Sequence, residues 1–132
     1  MSIYKLNVAN LTKISLLGFA AMFSTVSMAA QYPLQTTQYY AQLGNPEAQY
    51  NLGTHFANGD GVLLDYVQAA AWYGRAAQQG HPVALHDLAD LHEEGLGVNQ
   101  NFGAARELSK KACSLGYKPS CDMYNRMVKS YK

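Results

Sequence analysis

Small and apolar residues recur along this chain at helical spacing, and the arrangement is written twice. Ala48, Leu52 and Phe56 fall at i, i+4 and i+8, one stripe of a helix. Asn45-Pro46-Glu47 precedes that stripe with a capping side chain, a proline suited to the first turn and an acid for the helix dipole. Asn58-Gly59-Asp60-Gly61 ends it, because glycine enters the left-handed conformation that a tight helix-helix turn needs. A second helix starts near Asp65, presents Ala69, Trp72, Tyr73 and Ala76, and ends at Gly80 before the break at His81-Pro82. The plan then repeats as a helix from Pro82 to Glu94, a turn over Glu94-Gly95-Leu96-Gly97, and a helix from Asn101 to Leu115.

The two passes align 36 residues apart: Ala48 with Ala84, Leu52 with Leu88, Gly59 with Gly95, Gly61 with Gly97, Ala76 with Ala112 and Gly80 with Gly116. A fixed period of this size means stacked supersecondary units, none of which buries its apolar face alone. The expected fold is all-α, an α/α solenoid of helix-turn-helix repeats over 46–81 and 82–117 with half-repeat caps. A half repeat over 32–45 matches the second helix of an upstream unit, and a capping helix over 118–131 matches a lone first helix. Six helices are expected in all. Alanines at 69, 70, 76, 77, 104, 105 and 112 line the second helices and let neighbouring backbones approach closely.

The N-terminal stretch reads differently. Lys5 and Lys13 flank an n-region, Ile14 to Met28 is an apolar h-region, and Ser27-Met28-Ala29 ends in small residues. That order is a secretory signal peptide over 1–29, cut after Ala29, and it leaves a repeat domain over 30–132. The run is too short and too broken by Ser and Thr for a good membrane span, so no stable membrane anchor is expected after cleavage. A periplasmic or secreted location follows. Past Ala29 the chain has eight basic residues against nine acidic, a balance that argues against nucleic acid as a partner. The charges segregate nonetheless. Residues 31–100 carry seven acids against Arg75 alone, and 101–132 carry seven bases against Glu107 and Asp122. Cys113 and Cys121 fit an oxidising compartment, where an even count at short spacing reads as a disulfide. A metal pair is the rival, and seven intervening residues match no zinc spacing.

Ala48, Leu52, Gly53, Phe56, Gly59, Gly61, Val62, Ala69, Trp72, Tyr73, Ala76, Ala77 and Gly80 together resemble the Sel-1-like repeat, a relative of the tetratricopeptide repeat. The Gly-x-Gly-Val turn separates the two families. The second copy departs at Ala89, His92 and Ser109, which stand where the pattern has glycine, an aromatic and tyrosine. The cysteine pair resembles a cysteine-rich, secreted branch, in which such a pair bridges the second helix of one repeat to the first helix of the next. The resemblance implies a non-catalytic adaptor or scaffold. Some members of that branch are linked to penicillin binding or weak β-lactam hydrolysis, yet the one Ser-x-x-Lys here is Ser2 to Lys5, inside the signal. No catalytic residues are assigned, because the sequence after Ala29 assembles no nucleophile with a base and an oxyanion hole.

In related helical repeats the first helix of each unit lines a concave groove. Mapped by position, that face holds Tyr50, Thr54 and Asn58, then His86, Asp90, Glu93 and Glu94, then Asp122 and Arg126. Such a groove is polar and mildly acidic with one aromatic anchor, and it suits a protein or peptide partner with basic residues. Solvated helix faces account for the same residues. His86, Asp90 and Glu93 share a helical face, which raises divalent-metal binding as an alternative, but no metal site and no cofactor are assigned. A β-lactam- or cell-wall-acting enzyme is the other alternative. His92 is expected to point inward, and His55 and His81 to serve packing and loop roles. Half-repeat ends favour a monomer over self-stacking.

Overall fold

A computed structural model describes residues 33–130. The expected signal over 1–29 with its cleavage site, Tyr32 and Tyr131 lie outside the described residues. Within them the chain forms six helices and no strand: α1 over 33–42, α2 Pro46–Asn58, α3 Tyr66–Gln78, α4 Pro82–Glu94, α5 Phe102–Ser114 and α6 Lys118–Ser130. Each of α2 to α6 packs chiefly on its neighbours in sequence, the arrangement of an α/α solenoid. None of these helices is long and apolar enough to cross a membrane.

The ends of the helices follow the local chemistry. Asn45 Oδ1 accepts the Ala48 N–H at 2.9 Å, and Asn101 Oδ1 accepts that of Ala104 at 2.9 Å. Asp65 caps α3 through the Val67 and Gln68 amides, so the helix begins one residue after it. His81 takes the same role for α4, its Nδ1 accepting the Ala84 N–H at 3.1 Å. An accepting Nδ1 carries no proton, so Nε2–H donates to Glu47 Oε2, 2.9 Å away. His55, expected to pack, instead closes the turn after α2, with Nδ1 3.0 Å from the Asp60 carbonyl.

The core is built from leucines, methionines and many alanines. Leu52, Leu85 and Met127 are among the largest side chains with almost no exposed surface, and Ala69, Ala76, Ala84, Ala89, Ala105 and Ala112 are fully buried. Burying a leucine stabilises by about 1.5–3 kcal/mol, whereas the alanines act by letting helices approach closely. Two departures of the second repeat from the first compensate each other. A methyl at Gly53 would meet the Tyr73 ring at 2.6 Å, so the tyrosine demands the glycine. At the equivalent positions Ser109 replaces the tyrosine and Ala89 fills the space, both fully buried. The Ser109 hydroxyl is satisfied by the Ala105 carbonyl at 2.6 Å.

Buried polar groups are otherwise paired across helices. Gln49 is buried and donates to the Ala41 carbonyl at 3.2 Å, while Gln79 Nε2 donates to Gln49 Oε1 at 2.8 Å. His92 does turn inward, and its Nδ1 is the one buried side-chain nitrogen or oxygen without a hydrogen-bond partner among the described residues. Cys113 at the end of α5 and Cys121 in α6 form a disulfide.

Candidate interaction surface across the first helices

The repeat period places one ring motif twice. Tyr50 on α2 and His86 on α4 are equivalent, and so are His81 and Tyr117 at the entrances to α4 and α6. Tyr50 stacks on His81 with centroids 4.8 Å apart, and His86 meets Tyr117 edge-on at 5.2 Å. Tyr50 also stacks on Tyr73 at 5.6 Å. These contacts join α2, α4 and the start of α6 through side chains, making a single strip.

Other expected residues take several places on that strip. Thr54 turns back onto its own helix, its hydroxyl 3.2 Å from the Tyr50 carbonyl and 3.3 Å from the Tyr73 hydroxyl. Burial pushes the Tyr73 hydroxyl up to about 12, so it remains a neutral donor. His86 Nδ1 lies 2.9 Å from the buried Ser120 hydroxyl of α6, and its Nε2 lies 3.7 Å from Asp90. Asn58, Glu94 and Asp122 are exposed. Glu93 pairs with Arg126 across α4 and α6 at 2.9 Å. That ion pair has one exposed partner and stabilises by about 1 kcal/mol at most.

Sequence reasoning missed Asp87. It aligns with Asn51 and Met123, neither of which marks a site, and only tertiary structure brings the Tyr50 hydroxyl close to its carboxylate. Burial raises the Asp87 carboxyl above its ordinary range and Asp90 adds to that, while His86 and the Tyr50 hydrogen bond act the other way. Asp90 is also raised, first by burial and then by Glu93 and Glu94, against His86 and Arg126. The strip therefore holds two partly buried carboxylates whose surroundings disfavour the charged form. His86, Asp87 and Asp90 offer ligating atoms within 4.8 Å of one another, so the set able to hold a divalent cation includes Asp87 in place of the expected Glu93.

One consequence is a stability gain on neutralisation. Asp87→Asn keeps an acceptor for Tyr50 and removes a charge from a partly buried place. A carboxyl raised on folding binds its proton more tightly in the folded state, so its contribution falls as pH rises through the raised range. The variant is expected to melt roughly 2–5 °C higher at about pH 7, with the gap closing toward about pH 4. Thermal unfolding at both pH values tests this. A variant that melts lower at neutral pH would make the charged Asp87 a net stabiliser.

A short helical-repeat solenoid with a polar, aromatic and acidic strip across its first helices belongs to the class of repeat proteins that present surfaces to other proteins. The Sel1 repeat pattern matches residues 46–81 and 82–117, and the chain belongs to the Sel1 repeat family. It is similar to a Sel1 repeat protein from Oxalobacter formigenes, with 33% identity, TM-score 0.69 and 70% of each chain covered. Helicobacter pylori cysteine rich protein B is similar at 27% identity and TM-score 0.68, again over 70% of each chain. Among curated proteins, Protein sel-1 homolog 2 of Rattus norvegicus is 38% identical over 66 residues, 49% of this chain and 10% of its own length. An ERAD-associated E3 ubiquitin-protein ligase component of Arabidopsis thaliana, HRD3A, is 32% identical over 64 residues, 48% of this chain and 9% of its own. The chain thus spans about a tenth of the length of these curated relatives. Sel1 repeat proteins are generally non-catalytic scaffolds that mediate protein–protein interaction.

Proposed function

We propose that this protein is an exported, non-catalytic, monomeric adaptor that binds a basic protein segment along the concave face formed by α2, α4 and α6. The observation that carries the reading is the pair of partly buried carboxylates beside the ring pairs, Asp87 near Tyr50, His81 and His86, and Asp90 3.7 Å from His86. A lysine or arginine side chain supplies the charge those carboxylates lack and packs its stem against the rings. The repeat scaffold holds the rings and acids rigidly, so little ordering entropy is lost on binding. Export agrees with the Cys113–Cys121 disulfide and with the resemblance to a cysteine-rich relative.

The test is a cross-linking capture from the cell envelope by the wild-type chain and by the isosteric variant Asp87→Asn/Asp90→Asn. A partner held by the wild type, lost by a folded variant and weakened at least tenfold by half-molar salt is the expected result. Equal capture by both proteins would move the binding surface off this strip. A second reading, divalent-cation binding by His86, Asp87 and Asp90, rests on their mutual proximity within 4.8 Å. It predicts a melting temperature that rises with zinc in the wild type and not in His86→Ala.

A further inference from the structure

The repeat offers its own comparison at a second place, between the second helices. In the first repeat Trp72 packs against a buried cluster of Ala41, Ala48 and Leu52, and the Arg75 guanidinium lies over its ring, 4.2 Å from the centroid. One period later the buried part of that setting is kept, while Ala70 and His92 replace Leu34 and Phe56, which also pack on the first cluster. Ala77, Ala84 and Leu88 stand where Ala41, Ala48 and Leu52 stood, and Lys111 stands where Arg75 stood. The filling is not kept. Leu108 takes the place of the tryptophan, and Gly74 stands at the position equivalent to Gln38.

The outcome is an open cavity of about 230 Å³ between α3, α4 and α5, floored by Leu85, Leu88 and Leu108, flanked by Gly74, with Lys111 at its edge. A Cβ added at Gly74 would meet no atom within 4 Å, so the space beside the glycine is open. Leu88 follows His86 by two residues, about 200° around the helix, so this cavity lies on the side of α4 turned away from the acidic strip. It is independent of the reading proposed above.

We infer that this cavity is a docking site for an aromatic side chain of a partner protein, tryptophan in preference to the smaller rings. The molecule itself points to the occupant: one repeat earlier an indole capped by a cation packs on Ala41, Ala48 and Leu52, the equivalents of Ala77, Ala84 and Leu88. Lys111 supplies the cation over the ring, as Arg75 does for Trp72. Seven bases against two acids over 101–132 select a partner whose residues beside that aromatic are acidic. A cavity lined by Leu85, Leu88 and Leu108 offers the ring apolar contact on its other face.

The experiment titrates N-acetyl-L-tryptophanamide into the isotope-labelled protein and follows backbone amide shifts by NMR. Saturable shifts at Gly74, Leu85, Leu108 and Lys111 are expected, with a Kd on the order of millimolar for so small a probe. Leu108→Trp rebuilds the first-repeat filling, so it is expected to raise the melting temperature by several degrees and abolish the shifts. Gly74→Gln restores the residue found at the equivalent position of α1, and it is expected to block the probe without entering the core. Lys111→Gln is expected to weaken the probe about two- to fivefold. Absence of saturable shifts, or shifts that persist in both filling variants, would overturn the inference. A Leu108→Trp protein that melts lower than the wild type would overturn the template on which it stands.

Discussion

Gly97→Ala is expected to destabilise the array by roughly 3 kcal/mol or more, enough to unfold much of a small domain. The second turn of the solenoid runs directly over the start of α3. A Cβ at Gly97 would clash with the Tyr66 carbonyl group and the Val67 nitrogen, backbone atoms that cannot rotate away as a side chain would. The residue also holds φ at +67°, which costs an alanine about 1 kcal/mol apart from any clash. Gly61 is the internal control, since it occupies the same turn position one repeat earlier with φ at +73°. A Cβ there meets only Leu34 Cδ2, at 3.3 Å, so Gly61→Ala is expected to cost about 1 kcal/mol. Denaturant unfolding of both variants separates the steric part from the conformational one. Equal losses would mean that the turn moves off Tyr66 readily and that repeat stacking is looser than the structure shows.

Cys121→Ser is expected to cost about 2.6 kcal/mol, the second largest effect. The disulfide joins residues separated by eight positions, and closing a loop of that length removes about 2.6 kcal/mol of unfolded-state entropy on the chain-entropy account. Its consequence is local to α6, which otherwise holds on through Met123 and Met127 packed against Ala89 and Ala105. Loss of the bond should therefore show first as faster amide exchange in α6, with α2 and α3 protected as before. Because α6 also supplies Ser120 to His86 and Arg126 to Glu93, the variant should bind a groove partner more weakly. Uniformly faster exchange throughout the chain would show instead that the solenoid unfolds as one unit. Exchange mass spectrometry with and without reductant distinguishes these outcomes.

Several candidate residues illustrate how far a sequence carries such an argument. Tyr50 and His86 were found by position alone, because a 36-residue period transfers a face from one helix to the next. Asp87 was not, since its neighbour Tyr50 is 37 residues distant and no spacing along α4 points to it. Glu93 was grouped with His86 and Asp90 on helical periodicity, yet Arg126 of α6 draws it into an ion pair. Gln49, a polar residue within α2, is buried and bonded to Ala41 and Gln79.

The amino-acid sequence by itself determined the helices, their caps, the turns and the repeat, because each depends on residues within one or two turns of chain. Asn45, Asp65 and Asn101 cap where they stand whatever the rest of the molecule does. The pairing of Cys113 with Cys121 is of the same local kind. Tertiary structure alone decided which carboxylate meets Tyr50, which glycine must stay a glycine, and where a cavity opens. Those outcomes depend on residues twenty or more positions apart meeting across neighbouring elements, where displacement by one methyl group changes what fits. Gly53 against Tyr73 and Ala89 against Ser109 show both solutions to that fit within one chain.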